Sequence, residues 1–356
     1  MHPHNTLAYD PQGDSATLNF YAHLWKPFIP QDQIPQFKIH GSFVREIVPG
    51  KLLGISFNTM YLFNSNPFAD RCGAGTGSPG DVVLHWFEKV LQDARTRSLS
   101  VYVSGHVPPN INNYVPSCYY AFSTLCQKYD DVIQGQYYGH MNIDHFYFPV
   151  VNEFPVFEND KITRADGLTM NGLSPFLASA NEDHRIRLMP SWIAQYFQTL
   201  LLHYKYVSKE VERIPTPIFV SPSVVPAFNP ALRVYKYHTL SDLQDSPQDL
   251  SFGALLDYDQ YFANLEKWNA AWEGEFIFEL EYTPRSAYEF KEKNITTSAW
   301  VDLAKRLVRG RKKHFLDSTR KHKKKKKKQP IEDPEILLRK YLSYMVVGID
   351  VNSVSR

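Results

Sequence analysis

Val132-Ile133-Gln134-Gly135-Gln136-Tyr137-Tyr138 runs straight into Gly139-His140-Met141-Asn142-Ile143-Asp144-His145-Phe146. The first part is β-branched and aromatic and reads as a buried strand. The second places a Gly-His pair at the strand's end, followed by Asn, Asp and His. The arrangement recurs upstream, where Gly105-His106 follows the strand-like run Ser100-Val101-Tyr102-Val103-Ser104. Loops leaving the carboxyl ends of strands are where α/β sheets build their sites. Two strand-end Gly-His pairs therefore read as half of a dinuclear metal site.

The flanking pattern supplies a βαβαβ-like order. Phe43 to Val48 and Leu52 to Phe57 read as strands joined at Pro49-Gly50, a hairpin signal. Asn58-Thr59 ends the second, and Asn66 to Gly80 is a Gly/Pro loop. The clearest helix follows. Ser78 is its candidate N-cap, Pro79 suits the first helical position, and Asp81 closes a capping-box-like pattern. Val83, Trp86, Phe87, Val90, Leu91 and Ala94 recur at steps of three and four and give it one apolar face. Further helices are predicted around Ala16 to Trp25, from Ser117 to Tyr129, over Ser191 to Tyr206, and over 298–309 and 334–346. Pro217 to Ser221, Arg233 to His238 and Phe276 to Tyr282 read as strands, while 150–190 is irregular.

The chain of 356 residues is 43% hydrophobic, enough for a sizeable core, so global disorder is not expected. Aromatics at 14% and 24 prolines point to a loop-rich α/β or β-rich enzyme rather than a helical bundle. The net charge of +2 hides an asymmetry. Residues 305–328 hold 14 Lys or Arg against Asp317 alone, leaving 25 basic and 36 acidic residues elsewhere. Affinity for polyanions would reside in that segment, above all in Lys321 to Lys328, which is too charged to pack. No stretch reaches the ~18 apolar residues of a membrane span. Met1-His2-Pro3-His4-Asn5 has no signal-peptide pattern. The three cysteines, Cys72, Cys118 and Cys126, lack C-x-x-C spacing, which argues against a zinc ribbon or a thioredoxin-like site. One disulfide and one free thiol would suit an oxidising compartment. Asn294-Ile295-Thr296 is an N-glycosylation sequon.

Imidazole is a common ligand for zinc, iron and manganese. His106 and His140 are thus either metal ligands or structural histidines, and a separation of 34 residues does not decide between them. Asn142 could add an oxygen donor or simply form a turn. Asp144 and His145 are candidates to orient such ligands by hydrogen bonding, or to solvate the loop. A dinuclear centre normally needs a bridging carboxylate, and no Asp-x-His precedes residue 106.

The motifs resemble the fungal endopolyphosphatases, vacuolar calcineurin-like metallophosphoesterases related to acid sphingomyelinase. The matching segments are Trp25-Lys26-Pro27-Phe28-Ile29-Pro30, Val48-Pro49-Gly50-Lys51-Leu52, Ile55-Ser56-Phe57-Asn58-Thr59-Met60-Tyr61-Leu62-Phe63, Ser104-Gly105-His106-Val107-Pro108-Pro109 and Tyr138 through Phe146. Ser221-Pro222-Ser223 and Asn229 through Tyr235 look like a later sheet segment shared with the sphingomyelinase branch. That branch has Gly-His-x-His where this chain has Gly139-His140-Met141-Asn142, and Asn at this place is the endopolyphosphatase pattern.

The resemblance implies an α/β (α+β) fold, a calcineurin-like β-sandwich flanked by helices and incomplete at its N-terminal half. It implies a metallophosphoesterase portion over 1–240, an extension packed on it over 241–310, a basic disordered segment over 311–330 and a C-terminal helix over 331–356. His106, His140 and Asn142 match metal-ligand positions of the family. The chain is expected to begin just after a Gly-Asn motif, so that the remaining ligands and the membrane anchor of the family would lie upstream. The implied activity is endohydrolysis of inorganic polyphosphate with divalent metal ions, in the vacuole, with no nucleic acid as a specific partner, and the chain is expected to be truncated and inactive without the upstream ligands. Lys323, Lys324, Lys325, Lys326, Lys327 and Lys328 would recruit the polyanion. The alternatives are a sphingomyelinase-like phosphodiesterase and a non-enzymatic polyanion-binding remnant.

Overall fold

The structure is a computed structural model. It describes residues 6–73, 75, 77–150, 191–210, 213–225, 228–239, 252–270, 274, 276–292, 294–317 and 333–348. Ala16–Leu24 (α1) and Ile34–His40 (α2) precede the sheet. Phe43–Val48 (β1) and Leu52–Ser56 (β2) form the expected antiparallel hairpin. Pro79–Thr96 (α3) then crosses over to Ser100–Ser104 (β3), and Pro116–Lys128 (α4) crosses to Ile133–Tyr138 (β4). Parallel neighbours require such crossovers, and β2, β3 and β4 pair in parallel. His145–Tyr147 (β5) pairs antiparallel with Ile218–Val220 (β6), which lies parallel to β4, so the sheet order is β1-β2-β3-β4-β6-β5.

Local chemistry explains why α3 starts where it does. The Ser78 hydroxyl accepts the Asp81 amide at 3.1 Å, and Pro79 sits in the first turn. Val83, Trp86, Phe87, Leu91 and Ala94 are buried as their spacing predicts. Side chains alternate across the strands. The Tyr102 and Tyr137 rings reach Tyr237 and Tyr235 of a second sheet, at 6.1 and 4.4 Å between centroids. Val101 and Val103, fully buried, face the other way, toward the layer where Phe87 and Phe122 pack on Phe57.

The second sheet is antiparallel, in the order Ala231–Tyr237 (β7), Leu255–Phe262 (β8) and Glu279–Tyr282 (β9). Its central strand, β8, was not expected from the sequence. Asp257, Asp259 and Gln260 interrupt the apolar pattern, and the burial of Gln260 reflects a partner on β7, not hydrophobicity. Ser191–Glu210 (α5), Thr297–Asp317 (α8) and Pro334–Met345 (α9) pack beside the β5–β6 edge, with the short helices Leu265–Ala270 (α6) and Pro284–Tyr288 (α7) between. Trp300 of α8 seats its ring 4.7 Å from Phe146 and 5.0 Å from Phe219. The α8 helix runs past the expected end at residue 309, because Arg311, Lys312 and Lys313 are good helix formers. Residues 151–190 and Lys323 to Lys328 lie outside the described residues.

Cys72 and Cys118 form a disulfide across 46 residues, and Cys126 is a buried free thiol. Gly80 makes room for the bridge: a Cβ there would stand 2.4 Å from the Cys72 sulfur. No described helix is long and apolar enough to cross a membrane.

Candidate metal centre

The two Gly-His pairs meet at the ends of adjacent parallel strands. The Gly139 amide donates to the His106 carbonyl at 3.0 Å, which locks the loop after β4 to the loop after β3. Gly105 is required for this approach, since a Cβ there would lie 2.7 Å from the Tyr138 ring and 2.8 Å from Thr59. Thr59 also accepts the Val107 amide on its hydroxyl at 3.0 Å, holding the segment that carries His106. The outcome is that His140 Nδ1 and His106 Nε2 stand 3.4 Å apart, with the rings edge to face. Phe63 walls His140 edge-on at 5.2 Å.

Burial disfavours the imidazolium at both positions. His106 lies below its ordinary value for that reason, and His140 lies lower for the same reason with the neighbouring His106 charge adding to it. Two neutral rings offer lone pairs, and metals bind the neutral form. Two nitrogens on one tetrahedral ion at about 2.1 Å would stand about 3.4 Å apart, so the observed spacing fits a shared ion. The fit covers two ligands. Among the described residues no group of three His, Cys, Asp or Glu is placed to hold a metal. Two surface grooves, of about 500 and 230 Å³, are lined by other residues and include neither histidine.

Asn142 lies on the same loop, and both His140 (φ +67°) and Asn142 (φ +56°) are left-handed. Such backbone is uncommon away from glycine and is most tolerable for Asn, Asp and His. Asp144 and His145 do not contact the histidine pair. Asp144 is buried against Arg233 of β7, Nη2 to Oδ2 2.5 Å, and accepts the Tyr282 hydroxyl at 2.5 Å. His145 hydrogen-bonds through Nδ1 to the Ile143 carbonyl at 3.1 Å and through Nε2 to the Tyr196 hydroxyl at 2.7 Å. Neither hydrogen-bonds to His106 or His140: both point into the core, where partners from β7, β9 and α5 satisfy them. Asn58, also at a strand end, spends its amide on the His40 carbonyl and the Met60 amide. Sequence reasoning missed Phe63, Thr59, Arg233 and Tyr282. Only Thr59 had a local signal, as the residue following a strand.

A mixed sheet packed between helices on one face and a second, antiparallel sheet on the other, with two histidines converging at neighbouring strand ends, is an α/β arrangement consistent with the fold of a metallophosphoesterase. The chain is 33% identical over 304 residues to the endopolyphosphatase of Candida glabrata, covering 74% of this chain and 45% of that protein. It is 30% identical over 311 residues to that of Saccharomyces cerevisiae, with the same coverages, and 27% over 254 residues to that of Schizosaccharomyces pombe, covering 70% and 40%. No family model matches. The chain is a homologue of the fungal endopolyphosphatases, and it spans less than half the length of these relatives.

Proposed function

We propose that the chain forms the His106–His140–Asn142 part of an endopolyphosphatase centre, and that the activity is cleavage of internal phosphoanhydride bonds of inorganic polyphosphate. What supports this is the pair of neutral imidazole nitrogens 3.4 Å apart at adjacent strand ends, in a chain similar over 74% of its length to proteins of that name. His106 and His140 would hold a divalent ion through nitrogen and Asn142 through oxygen. Such ions neutralise phosphoryl oxygens and provide an activated water. Water adds across one P–O–P bond, so that one fragment leaves with the new hydroxyl oxygen and the other with the bridging oxygen.

The Lys323 to Lys328 run would recruit the polyanion. A vacuolar location and glycosylation belong to the same proposal. The Cys72–Cys118 bridge fits an oxidising folding route. Asn294 of the sequon is half-buried, borders the groove of about 230 Å³ and precedes the α8 cap, where the Thr296 hydroxyl accepts the Ala299 amide at 3.3 Å.

The test is a side-by-side assay of the purified chain on long-chain polyphosphate and on a choline phosphodiester, with divalent cations. Shortening of polyphosphate that His106→Ala and His140→Ala abolish supports the proposal. Cleavage of the phosphodiester alone would instead assign it to the sphingomyelinase-like class. Salt-sensitive polyphosphate binding without turnover, lost on deletion of 321–328, would identify a polyanion-binding remnant.

A further inference from the structure

The loop from Gly139 to Asp144 carries His140 and Asn142 in left-handed backbone. Left-handed residues other than glycine persist only where their surroundings over-determine them. The loop's own hydrogen bonds are few. Gly139 donates to His106, Met141 donates to Gly139 at 2.7 Å, and Asp144 donates its amide to the Met345 carbonyl at 3.0 Å. The strongest anchor is the Asp144 carboxylate, held from the second sheet.

That anchor is built from three strands. Arg233 of β7 is 2% exposed and Asp144 6%. The Arg233 Nε donates to Gln260 of β8 at 2.8 Å, and the guanidinium lies 3.9 Å from the centre of the Tyr258 ring. Tyr282 of β9 reaches the same Asp144 oxygen and lies 3.0 Å from the Tyr258 hydroxyl. The Arg233 Nη atoms make no aligned hydrogen bond, so the pair is held by charge and proximity. A third charge would upset this balance. Glu281, beside the pair, has both carboxyl oxygens buried, and burial, with the Asp144 charge adding and outweighing the Arg233 charge and the Gly348 backbone, pushes it up to about 8. It is therefore neutral below that pH, and Arg233 faces one carboxylate.

We propose that Arg233, with Tyr282, is a positioning residue for the metal loop: through Asp144 it fixes the far end of the Gly139–Asp144 segment and so the place of His140 beside His106. This rests on the metal-binding reading of that pair. Arg233 touches neither histidine. It acts by denying the strained loop its relaxed conformations, and the second sheet thereby becomes part of the site.

The experiment uses the purified chain with Zn²⁺ as probe, and His106→Ala defines uptake at the pair. Arg233→Met should weaken His106-dependent Zn²⁺ binding by about 10–100-fold, the range for residues that orient ligands. Arg233→Lys, which retains the charge, should recover part of it. Tyr282→Phe removes a single hydrogen bond, leaves the ion pair, and should cost a smaller factor in a chain that stays folded. Hydrogen exchange supplies a readout independent of metal: the Gly139 and Asp144 amides should lose at least about tenfold more protection than Val101 and Val103. Leu91→Ala, in the α3 core, should lower the thermal midpoint without this local loss or the change in Zn²⁺ affinity. Unchanged protection at Gly139 in folded Arg233→Met and Tyr282→Phe variants overturns the inference. If the wild type takes up no His106-dependent Zn²⁺, the metal reading fails, and the exchange measurements still decide the positioning role.

Discussion

His145 makes the chain acid-labile by an amount that can be worked out. It is 2% exposed, and both ring nitrogens are engaged: Nδ1–H donates to the Ile143 carbonyl, and Nε2 accepts from the Tyr196 hydroxyl. Burial first, and the Arg233 charge after it, lower its pKa to about 3, outweighing the Ile143 hydrogen bond. In the unfolded chain the value returns to about 6.5. The unfolded state therefore binds the proton first as pH falls, and the stabilisation present above about 6.5 is lost progressively below it. Between about pH 7 and about pH 5 the loss from this residue is about 2 kcal/mol, since each unit is worth about 1.4 kcal/mol once the unfolded ring titrates. His40 and His203, lowered to about 4 chiefly by burial, act in the same direction. The assay is urea unfolding of the wild type and of His145→Gln at both pH values. Glutamine can still accept from Tyr196 but does not titrate, so the pH-dependence of stability should shrink by about 2 kcal/mol whatever the substitution itself costs. An unchanged pH-dependence in His145→Gln would refute the reasoning.

Gly80→Ala should lower the thermal midpoint, although alanine is the better helix former by about 1 kcal/mol, because the new Cβ meets the Cys72 sulfur at 2.4 Å; a rise in the midpoint would show that the bridge yields easily. Cys118→Ser should cost about 2–4 kcal/mol in urea unfolding, and reductant should destabilise the wild type by a similar amount while leaving the variant unchanged. Thr296→Asp removes the sequon but keeps a capping side chain on α8. Made through a secretory pathway, it should lose one glycan's mass with little change in thermal midpoint, whereas Thr296→Ser should retain the glycan; equal masses for both variants would mean that Asn294 is unmodified.

Much of the first sheet was legible from local pattern. The hairpin, the α3 cap and the strands ending in Gly-His are each encoded within about ten residues, where side-chain alternation and helical spacing act directly. The α2 helix and β8 were not. The former is short, and the latter hides its buried face behind Asp257 and Gln260. The same limit governed the site. His106 and His140 announced themselves because each follows a glycine at a strand end, but the roles of Asp144 and His145 depended on distant partners.

The sequence by itself determined which residues leave the sheet at its carboxyl edge, and its resemblance to the endopolyphosphatases named the chemistry those residues suit. Only the tertiary structure decided that the two imidazoles stand 3.4 Å apart, that Cys72 and Cys118 are the bonded pair, and that Asp144 answers to Arg233 and Tyr282 and not to a metal ligand. The physical reason is separation along the chain. Tyr282 and Asp144 are 138 residues apart, and no local propensity carries information across that distance. Burial between two sheets brings them together and sets what the loop between Gly139 and Asp144 can hold.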